Sequence, residues 1–165
     1  MRLLHNIGHV SHNSNYNTPF QVRQCWEPLS FDGVYLNVWA HRELLLKRDH
    51  KTVLFVMGDT VGKDNSFDSA MPLELYCNWD QIMDLVINYN CELGWHTWKH
   101  QNLTLLRDEE VKKEVTPPIP MKHFAYPYGN VDARVAKIVQ DAGFESAWSV
   151  FQGDGSQFQK NRKYL

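Results

Sequence analysis

Two histidines four residues apart, His96 and His100, are the side chains in this sequence whose type and spacing first suggest metal chemistry. They lie in the segment CELGWHTWKHQNL, residues 91–103, directly after an apolar run that is typical of a strand. Histidines at positions i and i+4 share one face of a helical turn, so both imidazoles could reach one cation. The aromatic neighbours Trp95 and Trp98 favour a sheltered site over two surface histidines.

A metal site that does chemistry needs a third ligand. Catalytic zinc takes three protein ligands and keeps one position for water. Asp32, at the end of another apolar run, would complete a set of two histidines and one carboxylate. These donors also suit Fe, Co, Ni and Mn, so the spacing does not name the metal. The metalloprotease helix HExxH has the same histidine spacing, but Thr97 stands where its general base would be, which excludes that class.

Strand-like and helix-like segments alternate about five times along the chain and must position these residues. Such alternation predicts a parallel sheet with covering helices, either open and doubly wound or curled into a barrel. The predicted strands are 29–34, 51–58, 91–95, 121–126 and 144–150, and the predicted helices are 36–48, 78–90, 104–115 and 130–143.

Three polar groups follow predicted strands: Asp32, the pair His96 and His100, and the turn 126–129. Ligands of parallel α/β sheets collect at the carboxyl ends of the strands. We therefore expect these three groups to meet on one rim of the sheet, where they would form the site.

The composition bounds the remaining possibilities. A chain of 165 residues with 43% hydrophobic and 13% aromatic residues is expected to be one globular domain, residues 1–165. A net charge of −2 and the absence of long Lys/Arg runs give no electrostatic case for nucleic acid or membrane surfaces. No apolar run approaches the ~20 residues that span a bilayer. With no export signal and three cysteines without CxxC pairing, a reduced cytoplasmic protein is expected.

Four segments, SFDGVY, GWHTWKHQNLT, FAYPYGN and DAGFESAWSV, occur in the order and spacing of the polysaccharide deacetylase family, also called the NodB-homology or carbohydrate esterase 4 family. The resemblance runs from about Leu29 to Val150 and is nearest to variants from O-antigen and surface-polysaccharide gene clusters. HTWKH is similar to the family's H-[ST]-x-x-H motif. YPYG is similar to a tyrosine-bearing version of its R-x-P-Y-G motif.

The resemblance implies a distorted, incomplete (β/α) barrel that removes an acetyl group from an N-acetylated sugar with the help of a divalent metal, Zn²⁺ foremost. By analogy His96 and His100 bind the metal, and Asp32 is either a further ligand or the general base beside the metal's water. The backbone N–H of Tyr128 would help to hold the oxyanion. Substrate contacts are expected from Tyr126, Pro127, Trp98 and Trp148.

The match breaks at two places. The family motif T-F-D-D-G has two carboxylates, whereas residues 30–34 read Ser-Phe-Asp-Gly-Val, so the third ligand could instead be His9, His12 or Asp59. The family's late histidine, which serves as general acid, has no counterpart after His123. Because a full barrel takes about 250 residues, the chain is either a truncated form or a subgroup with an open barrel, whose edges a second subunit could cover.

We therefore expect a de-N-acetylase in surface-polysaccharide (O-antigen-like) biosynthesis, acting on a free, nucleotide-linked or lipid-linked sugar. A metal-dependent amidohydrolase that acts on a different acyl amide would share the same site. The rival interpretation, from another class, is a catalytically impaired protein of the same fold that binds carbohydrate or serves as a scaffold.

Overall fold

A single curled sheet carries the architecture of the chain. The computed structural model describes residues 4–5, 29–46, 51–66, 72–150 and 153–164. Their strands, in chain order, are β1 (Leu4–His5), β2 (Leu29–Asp32), β3 (Thr52–Val56), β4 (Cys91–Trp95), β5 (His123–Ala125), β6 (Ser146–Ser149), β7 (Lys160–Asn161) and β8 (Lys163–Tyr164).

The strands lie in the order β7-β6-β5-β4-β3-β2-β1-β8. Strands β2 to β7 are parallel, and β1 is antiparallel to both β2 and β8. The six parallel strands form a curled half-barrel with helices, so the predicted incomplete (β/α) barrel is confirmed. All five predicted strands are present; β4 has the predicted bounds 91–95, and the other four are shorter than predicted.

The central strand β3 illustrates why these residues form a buried parallel sheet. All five residues of its sequence TVLFV are buried. Its neighbours β2 and β4 flank it in register, with Leu54 between Phe31 and Leu93. A strand covered on both faces reads as a continuous apolar run, and β-branched and aromatic side chains suit its pleated surface.

Four α-helices in the described ranges connect the strands: α1 (Leu36–Ala40), α2 (Trp79–Asn88), α3 (Asp108–Val115) and α4 (Ala133–Asp141). The Asn78 side chain caps α2 by accepting from the Gln81 N–H, and the Gln81 side chain accepts from the Asn78 N–H in return. The Asp132 side chain caps α4 by accepting from the Val135 N–H. Gly143 follows the end of α4 and has φ +93°. Glycine is favoured there because it adopts the left-handed conformation without strain.

All four α-helices are shorter than their patterns predict, and in two of them a 3-10 turn takes up part of the predicted span. The helix expected over 36–48 stops at Ala40 and continues as a 3-10 turn, Arg42–Leu44. The helix expected over 104–115 begins only at Asp108, because the preceding Leu103–Leu105 forms a separate 3-10 turn. In this second case the Glu110 carboxylate accepts from the Arg107 N–H. This hydrogen bond fixes the start of the helix four residues after the predicted start at residue 104.

The core lies between the sheet and its helices, and a second, smaller apolar cluster of Val53, Phe55 and Ala125 has Trp148 packed against it. Cys77 and Cys91 are free, buried thiols, and burial raises the pKa of Cys77 to about 11. None of the helices described is long and apolar enough to cross a membrane.

Candidate active site

The three polar groups expected on one rim do meet at the carboxyl ends of the parallel strands. Asp32 is the last residue of β2, and His96 directly follows β4. His96 Nε2 lies 3.7 Å from Asp32 Oδ2. The His100 ring contacts the His96 ring at 4.8 Å between centroids and the Tyr128 ring at 4.6 Å. We call this group, Asp32, 96–100 and 126–129, the rim.

The two histidines are brought together by a loop, which corrects the expectation of a helical turn. Residues 96–100 are not helical, and Thr97 and His100 have positive φ angles of 69° and 54°. The Thr97 hydroxyl accepts from the His100 N–H at 2.9 Å and closes the loop on itself. The i, i+4 spacing therefore predicted the proximity but not the backbone that produces it.

His96 is oriented as a ligand through its other ring nitrogen. Its side chain is 1% exposed, and Nδ1 lies 2.7 Å from the Ala125 carbonyl oxygen. A carbonyl can only accept, so Nδ1 carries the proton and Nε2 presents its lone pair on the Asp32 side. Burial lowers the pKa of His96, although the Asp32 charge opposes this, and the ring is neutral as a metal ligand must be.

His100 supplies the second neutral imidazole. Burial and then the neighbouring His96 lower the pKa of His100 to about 3. Next to it, Trp98 is held in place from two sides: its ring meets Trp95 edge-on at 5.1 Å, and its Nε1–H donates to the Thr116 carbonyl. The Trp98 ring is therefore fixed beside His100 before any ligand binds.

Asp32 is paired with a residue that the sequence analysis missed. Arg162 follows β7 and donates to both oxygens of Asp32, at 2.6 and 2.9 Å. Burial by itself would raise the pKa of Asp32, but the Arg162 guanidinium, helped by His96, outweighs it and leaves the pKa below its ordinary value. Arg162 is 3% exposed and lies over the Phe55 ring. No local pattern in the C-terminal segment points to this role.

Tyr128 presents a backbone donor rather than its side chain. It has φ +58°, and its N–H makes no hydrogen bond to any other residue in the described ranges. The neighbouring Gly129, at φ +72°, leaves no room for a Cβ, which would lie 2.9 Å from the Val150 nitrogen. The Ser149 hydroxyl donates to the Gly129 carbonyl at 2.6 Å and fixes this turn.

The four expected substrate contacts lie in different surroundings. The Trp98 side chain lines an open cleft beside His100. Pro127 is buried within the turn that presents Tyr128. The Tyr126 ring departs from the expectation, because it is 1% exposed in the core and its hydroxyl donates to the Phe158 carbonyl. Trp148 packs against Phe55 and Ala125 and is only partly buried.

A cleft of about 330 Å³ opens next to these rings. Its walls combine one aromatic ring with charged and hydroxyl side chains, which is the mixture that suits a polar ligand with apolar faces. The lining residues are Asp59, Thr60, Lys63, Asp64, Ser66, Trp98, Lys99 and His100.

The donor set fits a divalent cation in its chemistry. Two ligand atoms that each lie about 2.0–2.1 Å from one tetrahedral ion are about 3.3 Å apart, close to the 3.7 Å between His96 Nε2 and Asp32 Oδ2. Across the described ranges, however, no three His, Cys, Asp or Glu side chains form a ready-made metal site. Both oxygens of Asp32 already accept hydrogen bonds from the Arg162 guanidinium.

Of the three alternative third ligands, Asp59 alone lies within the described residues. Asp59 lies in the cleft wall and is exposed, and its N–H donates to the Trp98 carbonyl. His9 and His12 lie outside the described residues.

The sequence and fold of this chain are similar to those of known proteins. A family model described as polysaccharide deacetylase matches residues 28–147, more than half of the chain. The chain belongs to the polysaccharide deacetylase family. A search among curated proteins finds no match.

Solved structures of similar fold include IcaB from Ammonifex degensii, with 25% identity and a TM-score of 0.61 over 73% of this chain and 57% of that one. The Streptococcus pyogenes deacetylase PplD in complex with acetate has 14% identity and a TM-score of 0.64 over 81% and 61%. The BpsB deacetylase domain from Bordetella bronchiseptica has 12% identity and a TM-score of 0.67 over 82% and 69%. This polysaccharide deacetylase chain thus spans about three fifths of the length of the first two.

Proposed function

We propose that this chain is a metal-dependent hydrolase that removes the N-acetyl group from a sugar in surface-polysaccharide (O-antigen-like) biosynthesis. One observation carries the proposal: two neutral imidazoles, the buried His96 and the half-buried His100, lie beside an ionised carboxylate on the same rim as a backbone N–H that has no partner among the described residues. Membership of the polysaccharide deacetylase family supports the same reaction class.

His96 and His100 would hold the cation, with Asp32 as a further ligand or as a hydrogen-bond acceptor beside it. A divalent cation bound there would make a water molecule more acidic and polarise the acetamide carbonyl. Zn²⁺ is our first choice because neutral imidazoles and a carboxylate suit its tetrahedral site, while Co, Ni, Fe and Mn accept the same donors.

Asp32 is the residue that moves the proton. Because its pKa is lowered, it is ionised at neutral pH and can accept a proton as water attacks the acetyl carbon. The same carboxylic acid then gives that proton to the sugar nitrogen as the C–N bond breaks, and the products are acetate and a free amine. In this proposal the protonated Asp32 is therefore also the general acid for the leaving amine.

Tyr128 stabilises the charge that develops on the acetyl oxygen. A backbone N–H in a rigid turn is a fixed donor, and such preorganised donors are worth about 10²–10³-fold in rate. The Trp98 ring and the polar wall of the cleft would receive the sugar, whether it is free, nucleotide-linked or lipid-linked. The cytoplasmic location and the oligomeric state stay predictions.

The test is acetate release from an N-acetylglucosamine oligosaccharide and from a nucleotide-linked N-acetyl sugar, measured with added Zn²⁺. Asp32→Asn is expected to lower the rate by about 10²-fold or more, because it removes the only group that moves the proton. His96→Ala and His100→Ala are expected to lose both Zn²⁺ binding and activity. His123→Ala is the matched control, because His123 lies at the opposite end of β5, and it should retain both.

One observation favours the impaired binding protein as the second candidate. Both oxygens of Asp32 are already bonded to Arg162, and a carboxylate with a lowered pKa is a weak base. If the wild-type protein binds Zn²⁺ and an N-acetyl oligosaccharide but releases no acetate from any of these sugars, the enzyme proposal is wrong and the binding protein is favoured.

A further inference from the structure

The loop that carries both histidines has a backbone that must be held from outside. Thr97 is a β-branched residue at φ +69°, which is an outlier for that residue type, and His100 is at φ +54°. Non-glycine residues keep such conformations only where the surrounding structure over-determines them. The single bond within the loop, from the His100 N–H to the Thr97 hydroxyl, leaves the backbone at 98 and 99 to be fixed by other residues.

The N–H groups of Gly58 and Asp59 bond the Thr97 and Trp98 carbonyls, and the C-terminal turn of α3 holds the loop's own N–H groups. One carboxylate oxygen of Glu114 accepts from the N–H groups of both Trp98 and Lys99, each at 3.0 Å. The Glu114 carbonyl accepts from Trp95 Nε1 at 2.8 Å. The Thr116 carbonyl accepts from Trp98 Nε1 at 2.9 Å. Four hydrogen bonds therefore tie residues 95–99 to residues 114–116.

Glu114 is a carboxyl side chain in an unusually buried position. It is 7% exposed and is the one glutamate among the buried polar residues of the described chain. No arginine, lysine or histidine of the described residues forms an ion pair with it. A buried carboxylate is costly unless its hydrogen bonds are made, and here the donors are the loop's own backbone N–H groups. Its burial is therefore explained by the loop that it holds.

We propose that Glu114 is a positioning residue that fixes the spacing of His96 and His100 without touching substrate or metal. The connection runs from its carboxylate to the N–H groups of Trp98 and Lys99, and from these to the strained residues on either side, Thr97 and His100. The inference rests on the proposed function for its consequence, which is metal affinity, but its structural part is measurable without any metal.

The first measurement is hydrogen exchange of the backbone amides of Trp98 and Lys99 in metal-free protein. Glu114→Ala is expected to speed exchange at both amides by about tenfold or more, because they lose their acceptor. Glu109→Ala, on the exposed face of the same helix, is the matched control and should leave both amides unchanged. Unchanged exchange in Glu114→Ala would overturn the proposal.

The second measurement is the affinity for Zn²⁺ alone, by titration calorimetry. Glu114→Ala is expected to weaken binding by about 10–100-fold, the range seen when residues that orient metal ligands are removed. Glu114→Gln keeps the size and one acceptor oxygen, so it should lie between Glu114→Ala and the wild type. It also keeps the test decisive if the alanine variant fails to fold.

A purely structural role would lower the urea midpoint of Glu114→Gln and leave its Zn²⁺ affinity at the wild-type level, and that result would also overturn the proposal. If the wild type itself binds no Zn²⁺, the metal dependence in the proposed function is wrong. The exchange of the Trp98 and Lys99 amides then still decides whether Glu114 positions the loop.

Discussion

The parallel strands carry a histidine–carboxylate pair at each of their ends. At the carboxyl ends, His96 Nε2 lies 3.7 Å from Asp32 Oδ2. At the amino ends, His123 Nε2 lies 3.8 Å from Glu92 Oε1, in a group with Ser146 and Lys51 that we call the amino-end cluster. The separations are almost the same, so distance alone does not distinguish the site from the cluster.

The surroundings of the two histidines differ. His96 bonds through Nδ1 to a carbonyl, which fixes its tautomer, whereas His123 bonds to the Ser146 hydroxyl, which can donate or accept. The carboxylates also differ. Asp32 forms an ion pair with the buried Arg162, whereas Glu92 lies 3.9 Å from the exposed Lys51.

Backbone strain separates the two ends as well. Of the four non-glycine residues with positive φ in the described ranges, Thr97, His100 and Tyr128 belong to the rim. The fourth, Asn90, lies at the amino end of β4 and is of a residue type that tolerates this conformation. Among the described residues, a fixed tautomer, a buried ion pair and strained backbone occur together only at the rim, which supports the site proposed there.

The largest expected difference between the two ends is in their ion pairs. Arg162→Met should lower the free energy of unfolding by about 3 kcal/mol, because it leaves the Asp32 charge without its partner. Lys51→Met should cost less than about 1 kcal/mol, because that pair is exposed to solvent. Urea unfolding at pH 7 measures both.

The double variant Asp32→Asn, Arg162→Met serves as the control for this pair and should recover part of the loss, because no unpaired charge remains. If Arg162→Met and Lys51→Met lower the free energy of unfolding equally, the contrast between the two ends of the strands is wrong.

The next effect is a pH dependence of stability to which His100 contributes. Its pKa is about 3 in the folded protein and about 6.5 in the unfolded chain. Between these values only the unfolded chain binds the proton, so the free energy of unfolding falls as the pH is lowered from about 6.5 towards 3. The largest slope from this one group is about 1.4 kcal/mol per pH unit, and above pH 6.5 the group contributes no slope.

Urea unfolding of metal-free protein from pH 4.5 to 8 checks this dependence, and His100→Gln should flatten it. His123→Gln should flatten it less, because the pKa of His123 is lowered by burial but the Glu92 charge beside it raises it. A larger change from His123→Gln than from His100→Gln would contradict the contrast between the two ends.

The smallest effect concerns backbone strain. Tyr128→Gly should raise the free energy of unfolding by about 0.5 kcal/mol, since relief of the left-handed conformation exceeds the entropy cost of glycine and the side chain is 65% exposed. Asn90→Gly should be neutral or slightly destabilising, because asparagine already accepts this conformation. Acetate release by Tyr128→Gly should stay within about tenfold of the wild type, because the donor is a backbone N–H. If Tyr128→Gly is less stable than the wild type, the backbone at Tyr128 is not strained.

Much of the fold was readable from the sequence, because the buried strands are continuous apolar runs and the α2 and α4 caps are local signals. Val53 to Val56 and the capping residue Asn78 are examples. The helix bounds around Leu44 and Thr104 were not readable, because both segments carry apolar residues at helical spacing but form only a 3-10 turn.

The sequence by itself determined which residues meet on the rim. Asp32, His96, His100 and Tyr128 each follow an apolar run, and parallel strands place such residues on one edge. It could not determine what holds them there. Arg162 is 130 residues from Asp32, and Glu114 is 16 residues from Trp98 on a separate helix. Neither pairing leaves a local pattern, because a buried charge acquires its partner only when the strands and helices pack together. The tertiary structure therefore decided the ionisation of Asp32 and the backbone of the histidine loop.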